Sequence, residues 1–124
     1  MDDIQRGLGA ILLQANGPEE LASKLLTDTE SRYSNIEREM LAALFGLEKF
    51  RYYTYDRLVL VESDHKPLEA ICRKQLANTP PRIARMMLHI QKYDAQIKYV
   101  PGNNKPVADA PQGSAVVPVK QCKG

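Results

Sequence analysis

The run Leu58-Val59-Leu60-Val61, continued by Glu62-Ser63-Asp64, constrains the fold of this chain more than any other segment. Consecutive apolar residues cannot alternate between core and solvent, so a strand built from them must be covered on both faces. That requirement predicts a mixed α/β architecture, with helices laid against a sheet in which this strand is central. The segment also ends on an acid, Asp64, ahead of His65-Lys66-Pro67-Leu68. The carboxyl end of a central strand before a helix is where open α/β sheets gather ligands. Asp64 equally suits the N-cap of a helix opening at Pro67 and running over Leu68–Arg73, and both readings stand at this point.

Ser34 followed by Glu37 reads as a capping box that starts a helix running to about Phe50. Ile36, Met40, Ala43, Leu44 and Leu47 form its core stripe. Two carboxylates border that stripe. Glu39 lies on the side of Ala42 and Gly46, and Glu37 on the side of Leu41 and Leu44, where it already has capping work. Small neighbours leave room for a sheet or a metal ion to approach Glu39, whereas a solvated helix carboxylate is the plainer alternative. An ionised carboxylate buried without a partner or a metal is strongly unfavourable, so acids at the edges of a core raise the question of which cation they share.

The remaining segments extend the mixed pattern. Gly7–Gln14 is a strand candidate closed by the turn signal Asn16-Gly17-Pro18, and Glu19–Leu26 is ambiguous between strand and helical turn. After Pro80-Pro81, the residues Ile83, Met86, Met87 and Ile90 fall at helical spacing. Arg82, Arg85, His89 and Lys92 occupy the opposite face, which is either simply solvated or able to follow phosphates. Ala95–Tyr99 alternates like an edge strand. Pro111, Gly113 and Pro118 predict an irregular tail over residues 111–124.

A chain of 124 residues accommodates one core. Its net charge of +2 gives no global nucleic-acid signal. There is no apolar run of about eighteen residues and no basic-then-apolar leader, so the expectation is an intracellular protein, cytoplasmic or nuclear, with no membrane partner. Cys72 and Cys122 lack metal-ligand spacing and are expected as reduced thiols.

In order along the chain come Gly7-Leu8-Gly9-Ala10-Ile11-Leu12-Leu13-Gln14; Tyr33-Ser34-Asn35-Ile36-Glu37-Arg38-Glu39-Met40-Leu41-Ala42; Glu62-Ser63-Asp64-His65-Lys66-Pro67-Leu68; Pro80-Pro81-Arg82 with Tyr93-Asp94; and Tyr99-Val100-Pro101-Gly102-Asn103-Asn104 before Val107-Ala108-Asp109-Ala110. Taken together, these segments resemble the ribonuclease H domain of reverse transcriptases from gypsy-type long-terminal-repeat retrotransposons. The resemblance runs from Asp2 to about Ala110. It implies a ribonuclease H-like domain over residues 1–110. Only Met1 precedes Asp2, where the family carries several strand residues, so the first strand, the centre of the family's sheet, is expected in truncated form.

The resemblance further implies a metal site made of Asp2, Glu39, Asp64 and Asp109, these being the catalytic residues. Asp2 would bridge two Mg²⁺ ions (Mn²⁺ being a possible substitute), Asp109 would serve the ion that activates water, and Glu39 and Asp64 the leaving-group ion. Two ions about 4 Å apart can stabilise both oxygens of a phosphodiester displacement, and Mg²⁺ prefers hard carboxylate ligands. The implied substrate is an RNA·DNA hybrid, contacted by Arg82, Arg85, His89 and Lys92, and the implied neighbour is the upstream polymerase domain of the same polyprotein. A non-catalytic domain of the same fold, structural or nucleic-acid-binding, is the alternative. An integrase-like member is disfavoured by the acid order, because integrases use Asp, Asp, Glu.

Overall fold

The computed structural model describes residues 6–13, 20–54, 58–67, 79–100 and 115–123. Among the described residues five strands form one mixed sheet: β1 (Arg6–Leu12), β2 (Glu20–Leu25), β3 (Val59–Ser63), β4 (Ala95–Tyr99) and β5 (Ala115–Lys123), in the order β2-β1-β5-β3-β4. β1 runs antiparallel to β2 and β5, while β3 runs parallel to β5 and β4. Helical segments include α1 (Asp28–Ser31), α2 (Asn35–Lys49), α3 (Arg51–Thr54) and α4 (Pro81–Gln91). The ambiguous segment after the first strand resolves as β2, with its residues alternating between half-buried and exposed. β3 is buried along its whole length, as a strand covered on both faces must be, and β4 is an edge strand.

The last strand corrects the expected irregular tail. Residues 115–123 occupy the middle of the sheet, the place the resemblance gives to the strand bearing Asp2. Val116, Val117 and Val119 supply the β-branched character a central strand needs. Pro118 hides this pattern, because proline has no N–H for a ladder and is normally confined to edges. Its effect is local. Leu13 and Val116 exchange both backbone hydrogen bonds at 2.9 and 3.1 Å. In the same register Ile11 and Pro118 are the next such pair, and there the β1–β5 ladder is interrupted before resuming at Ala10 and Val119.

The core lies between one face of the sheet and helices α2 and α4. Leu8, Ala10 and Leu12 of β1, Val59 and Val61 of β3, and Ala115, Val117 and Val119 of β5 are all buried there. α4 adds Ile83, Met86, Met87 and Ile90, the spacing read from the sequence. The buried stripe of α2 is rotated from the expected one. Glu39, Met40, Ala42, Ala43, Gly46 and Leu47 are buried, while Ile36 and Leu44 are only partly so. Small residues cause the rotation: they let the helix settle closely on β1 and β5. A Cβ at Gly46 would lie 3.0 Å from Val117 Cγ1 and 3.2 Å from both Ala10 Cβ and Val119 Cγ1.

The closeness of α2 to the sheet sets an expectation. Gly46→Ala gains about 1 kcal/mol of helix propensity but overpacks three neighbours, two of them stiff valines, at a typical cost of about 1–3 kcal/mol. Net destabilisation of about 1 kcal/mol in urea unfolding is expected, and a variant more stable than the parent would contradict the packing described.

Glu62 sets a second. It lies on the opposite face of β3 between Lys98 and Pro118, 8% exposed. Burial pushes its carboxyl above the ordinary 4.5, with Lys98 partly opposing. A raised folded-state value means the folded protein holds this proton more tightly than the unfolded chain. The stability linked to Glu62 is therefore full below pH 4.5 and is lost as pH rises through the folded value. Glu62→Gln should remove that fall, so the difference in Tm between variant and parent should grow in the variant's favour as pH rises. Parallel Tm profiles would rule the effect out.

Candidate active site

The N-terminal half of α2, the end of β3 and the far end of β5 converge on one side chain, Glu39. The capping box that starts α2 forms as the sequence predicts. Ser34 Oγ accepts from the Glu37 N–H at 3.3 Å, and Glu37 Oε1 accepts from the Ser34 N–H at 2.8 Å. Glu37 thus stays at the helix mouth. The Ser34 N–H, against burial and with help from the Ser34 hydroxyl and Arg82, holds its carboxyl below the ordinary value. Glu39 turns the other way, onto the sheet, and is 1% exposed.

A carboxylate buried to that degree needs donors, and among the described residues it has two. Ser63 Oγ donates to Glu39 Oε2 at 2.6 Å, and Gln121 Nε2 donates to Glu39 Oε1 at 2.9 Å. Each oxygen keeps a second lone pair. Ser63 also accepts from the His65 N–H at 3.1 Å, which pins the bend in which Asp64 stands exposed at the end of β3. His65 Nδ1 lies 3.4 Å from Asn35 Nδ2 at the start of α2. The two described acids of the expected site, Glu39 and Asp64, are therefore carried by elements tied together through Ser63, one sealed in the protein and one facing solvent. Asp2 and Asp109 lie outside the described residues.

Oxygen donors of this kind suit a hard cation such as Mg²⁺, and neither histidine nor cysteine is needed. Among the described residues no three of His, Cys, Asp and Glu come together closely enough to hold a metal ion. Glu39 and Asp64 by themselves do not make up a metal site.

Three residues that sequence reasoning did not select belong to this site. Ser63 is the polar member of an otherwise apolar inward-facing series, Val59-Val61-Ser63, and that oddity was readable. Gln121 was hidden by the proline that disguises β5. Arg38, half-buried, donates from Nε to Gln121 Oε1 at 3.0 Å and from its guanidinium to the Tyr33 carbonyl. Burial, with the nearby Arg6 guanidinium, lowers its pKa.

Arg82, Arg85 and His89, on α4 opposite its buried stripe, and Lys92 at its C-cap are all exposed. Arg82 differs from the other three. It pairs with Glu37 Oε2 at 3.3 Å and sits 4.3 Å from the centre of the Tyr33 ring, so it ties α4 to α2.

Comparison with known proteins adds an independent line. The family model described as the RNase H-like domain found in reverse transcriptase matches residues 1–93. The chain is 36% identical over 103 residues, 83% of its length, to the retrovirus-related Pol polyprotein from transposon 297 of Drosophila melanogaster. It is 34% identical over 105 residues, 84% of its length, to the Pol polyprotein from transposon gypsy of the same organism. A further match, 33% identical over 89 residues and 70% of the chain, is the enzymatic polyprotein of Soybean chlorotic mottle virus. The chain spans 10% of each Drosophila relative and 13% of the viral one. No solved structure matches. With the mixed five-stranded sheet and its helices, these matches show that the chain belongs to the RNase H-like domain family found in reverse transcriptases.

Proposed function

We propose that this domain hydrolyses the RNA strand of an RNA·DNA hybrid, as part of a retrotransposon Pol polyprotein, in the cytoplasm or nucleus and beside a polymerase domain of the same polyprotein. The observation that carries the reading is the buried Glu39 carboxylate, held by Ser63 and Gln121 next to the strand end that presents Asp64. A carboxylate excluded from water and bonded, among the described residues, by the neutral donors Ser63 and Gln121 keeps a hard ligand oriented.

Glu39 and Asp64 would hold divalent metal together with Asp2 and Asp109. Bound Mg²⁺ supplies charge stabilisation for both the attacking and the leaving oxygen of the phosphodiester. The chain's own residues do the positioning. Ser63 fixes Glu39 and, through the His65 N–H, the bend at Asp64. Arg85, His89 and Lys92 offer an exposed basic face for phosphates, while Arg82 braces the N-terminus of α4. Hybrid would be told from duplex DNA by minor-groove shape and 2′-hydroxyls rather than by base sequence.

The second reading, a non-catalytic module of the same fold, draws on one feature: a glutamine on the central strand touches Glu39, where an acid was expected. Cleavage of end-labelled hybrid separates the two. The hydrolytic reading predicts cutting of the RNA strand in Mg²⁺ to leave 3′-hydroxyl ends, with duplex DNA spared. Asp64→Asn and Glu39→Gln should reduce cutting by more than the ~10–100-fold typical of losing an outer partner of a metal ligand. Arg85→Ala should weaken binding and lower the salt slope by about 1. Tight hybrid binding with the RNA left intact in both Mg²⁺ and Mn²⁺ would instead establish the non-catalytic module.

A further inference from the structure

Gln121 stands on β5 beside Leu8 of β1, beyond the residues matched by the family model. Its amide is engaged at both ends. Nε2 donates to Glu39 Oε1 and to Asn35 Oδ1, each at 2.9 Å, and approaches the Asn35 carbonyl at 3.4 Å. Oε1 accepts from Arg38 Nε at 3.0 Å. Guanidinium, amide and carboxylate therefore lie in one hydrogen-bonded chain, Arg38 to Gln121 to Glu39.

We propose that Gln121 is a positioning residue for metal binding: its amide relays the Arg38 charge to Glu39 and fixes the direction in which that carboxylate offers its free lone pairs. The proposal rests on reading Glu39 as a metal ligand. A carboxylate gripped at one oxygen can still turn about its last side-chain bond. Ser63 grips Oε2 and Gln121 grips Oε1, and the second grip removes that freedom. Drawing Arg38 onto the amide oxygen polarises the amide and strengthens its N–H donors. A neutral amide also adds no charge beside Glu39, so it orients the ligand without the like-charge repulsion that another acid would impose when metal is absent. Outer partners of this kind set metal affinity through geometry, and losing one typically lowers it 10–100-fold.

The test is Mn²⁺ binding by the full chain, followed by paramagnetic resonance and calorimetry, with circular dichroism to verify folding. Gln121→Ala should bind Mn²⁺ about 10–100-fold more weakly than the parent. Val117→Ala, which damages the same strand in the core without touching Glu39, should bind like the parent once folded. That contrast separates positioning from a merely structural contribution. Should Gln121→Ala not fold, Gln121→Asn keeps an amide but withdraws it from Glu39 by one methylene, and it too should bind more weakly. A folded Gln121 variant with parental affinity overturns the proposal while leaving Glu39 as a ligand. Parental affinity in Glu39→Gln, or no Mn²⁺ binding by the parent, removes the metal reading itself and the proposal with it.

Discussion

The hydrogen bonds that satisfy the Glu39 carboxylate hold three parts of the molecule in fixed relation. α2 carries the acid, β3 supplies the Ser63 hydroxyl and β5 supplies the Gln121 amide. Buried at 1% exposure, Glu39 would be intolerable without them. The close seating of α2 follows from the same geometry. Ala42 and Gly46, on the same side of the helix as Glu39, are small enough to bring the acid down to the sheet, and Val117 and Val119 meet the helix where a Cβ would crowd them.

β5 is the strand on which this arrangement depends. It joins the antiparallel pair β2-β1 to the parallel pair β3-β4, and within the described sheet those two ladders are what unite the halves. The strand brings Val117 to the core and Gln121 to the site on the same face, two residues beyond Val119 in a strand that alternates. Its weak point, Pro118, falls on the other face beside Glu62, away from Glu39. Glu62 and Glu39 are buried in different company. Glu39 has two donors on its oxygens, whereas Glu62 has burial against it and chiefly Lys98 in its favour.

Much of this architecture was legible in the residues. The apolar run at Leu58–Val61 is a strand covered on both faces, the Ser34–Glu37 box starts α2, and the alternation over Ala95–Tyr99 marks an edge. These signals are local: each is set by periodicity or by a cap within a few residues. That Glu37 stays at the cap while Glu39 can approach the sheet was also legible, because one acid was already committed to the cap and the other sat beside small residues. What could not be read is long-range. Nothing near Gln121 announces that it meets Glu39, 82 residues away in the chain. Pro118 turned a valine-rich strand into an apparent tail. The exact rotation of α2 depended on how closely glycine and alanine let it approach a strand whose place in the sheet was not foreseen. The Arg82–Glu37 pair is another such contact, drawing one of four basic residues away from the open face they were expected to share.

The central claim is that Glu39, though sealed from solvent, is oriented as one ligand of a divalent-metal site shared with Asp64. Anomalous diffraction from crystals grown in Mn²⁺ tests it most directly. The account predicts a peak within coordination distance, roughly 2.0–2.6 Å, of a Glu39 carboxylate oxygen, with Asp64 on the same ion or its neighbour. A well-ordered site without such a peak, Glu39 still bonded to Ser63 and Gln121 and no metal beside it, would contradict the account.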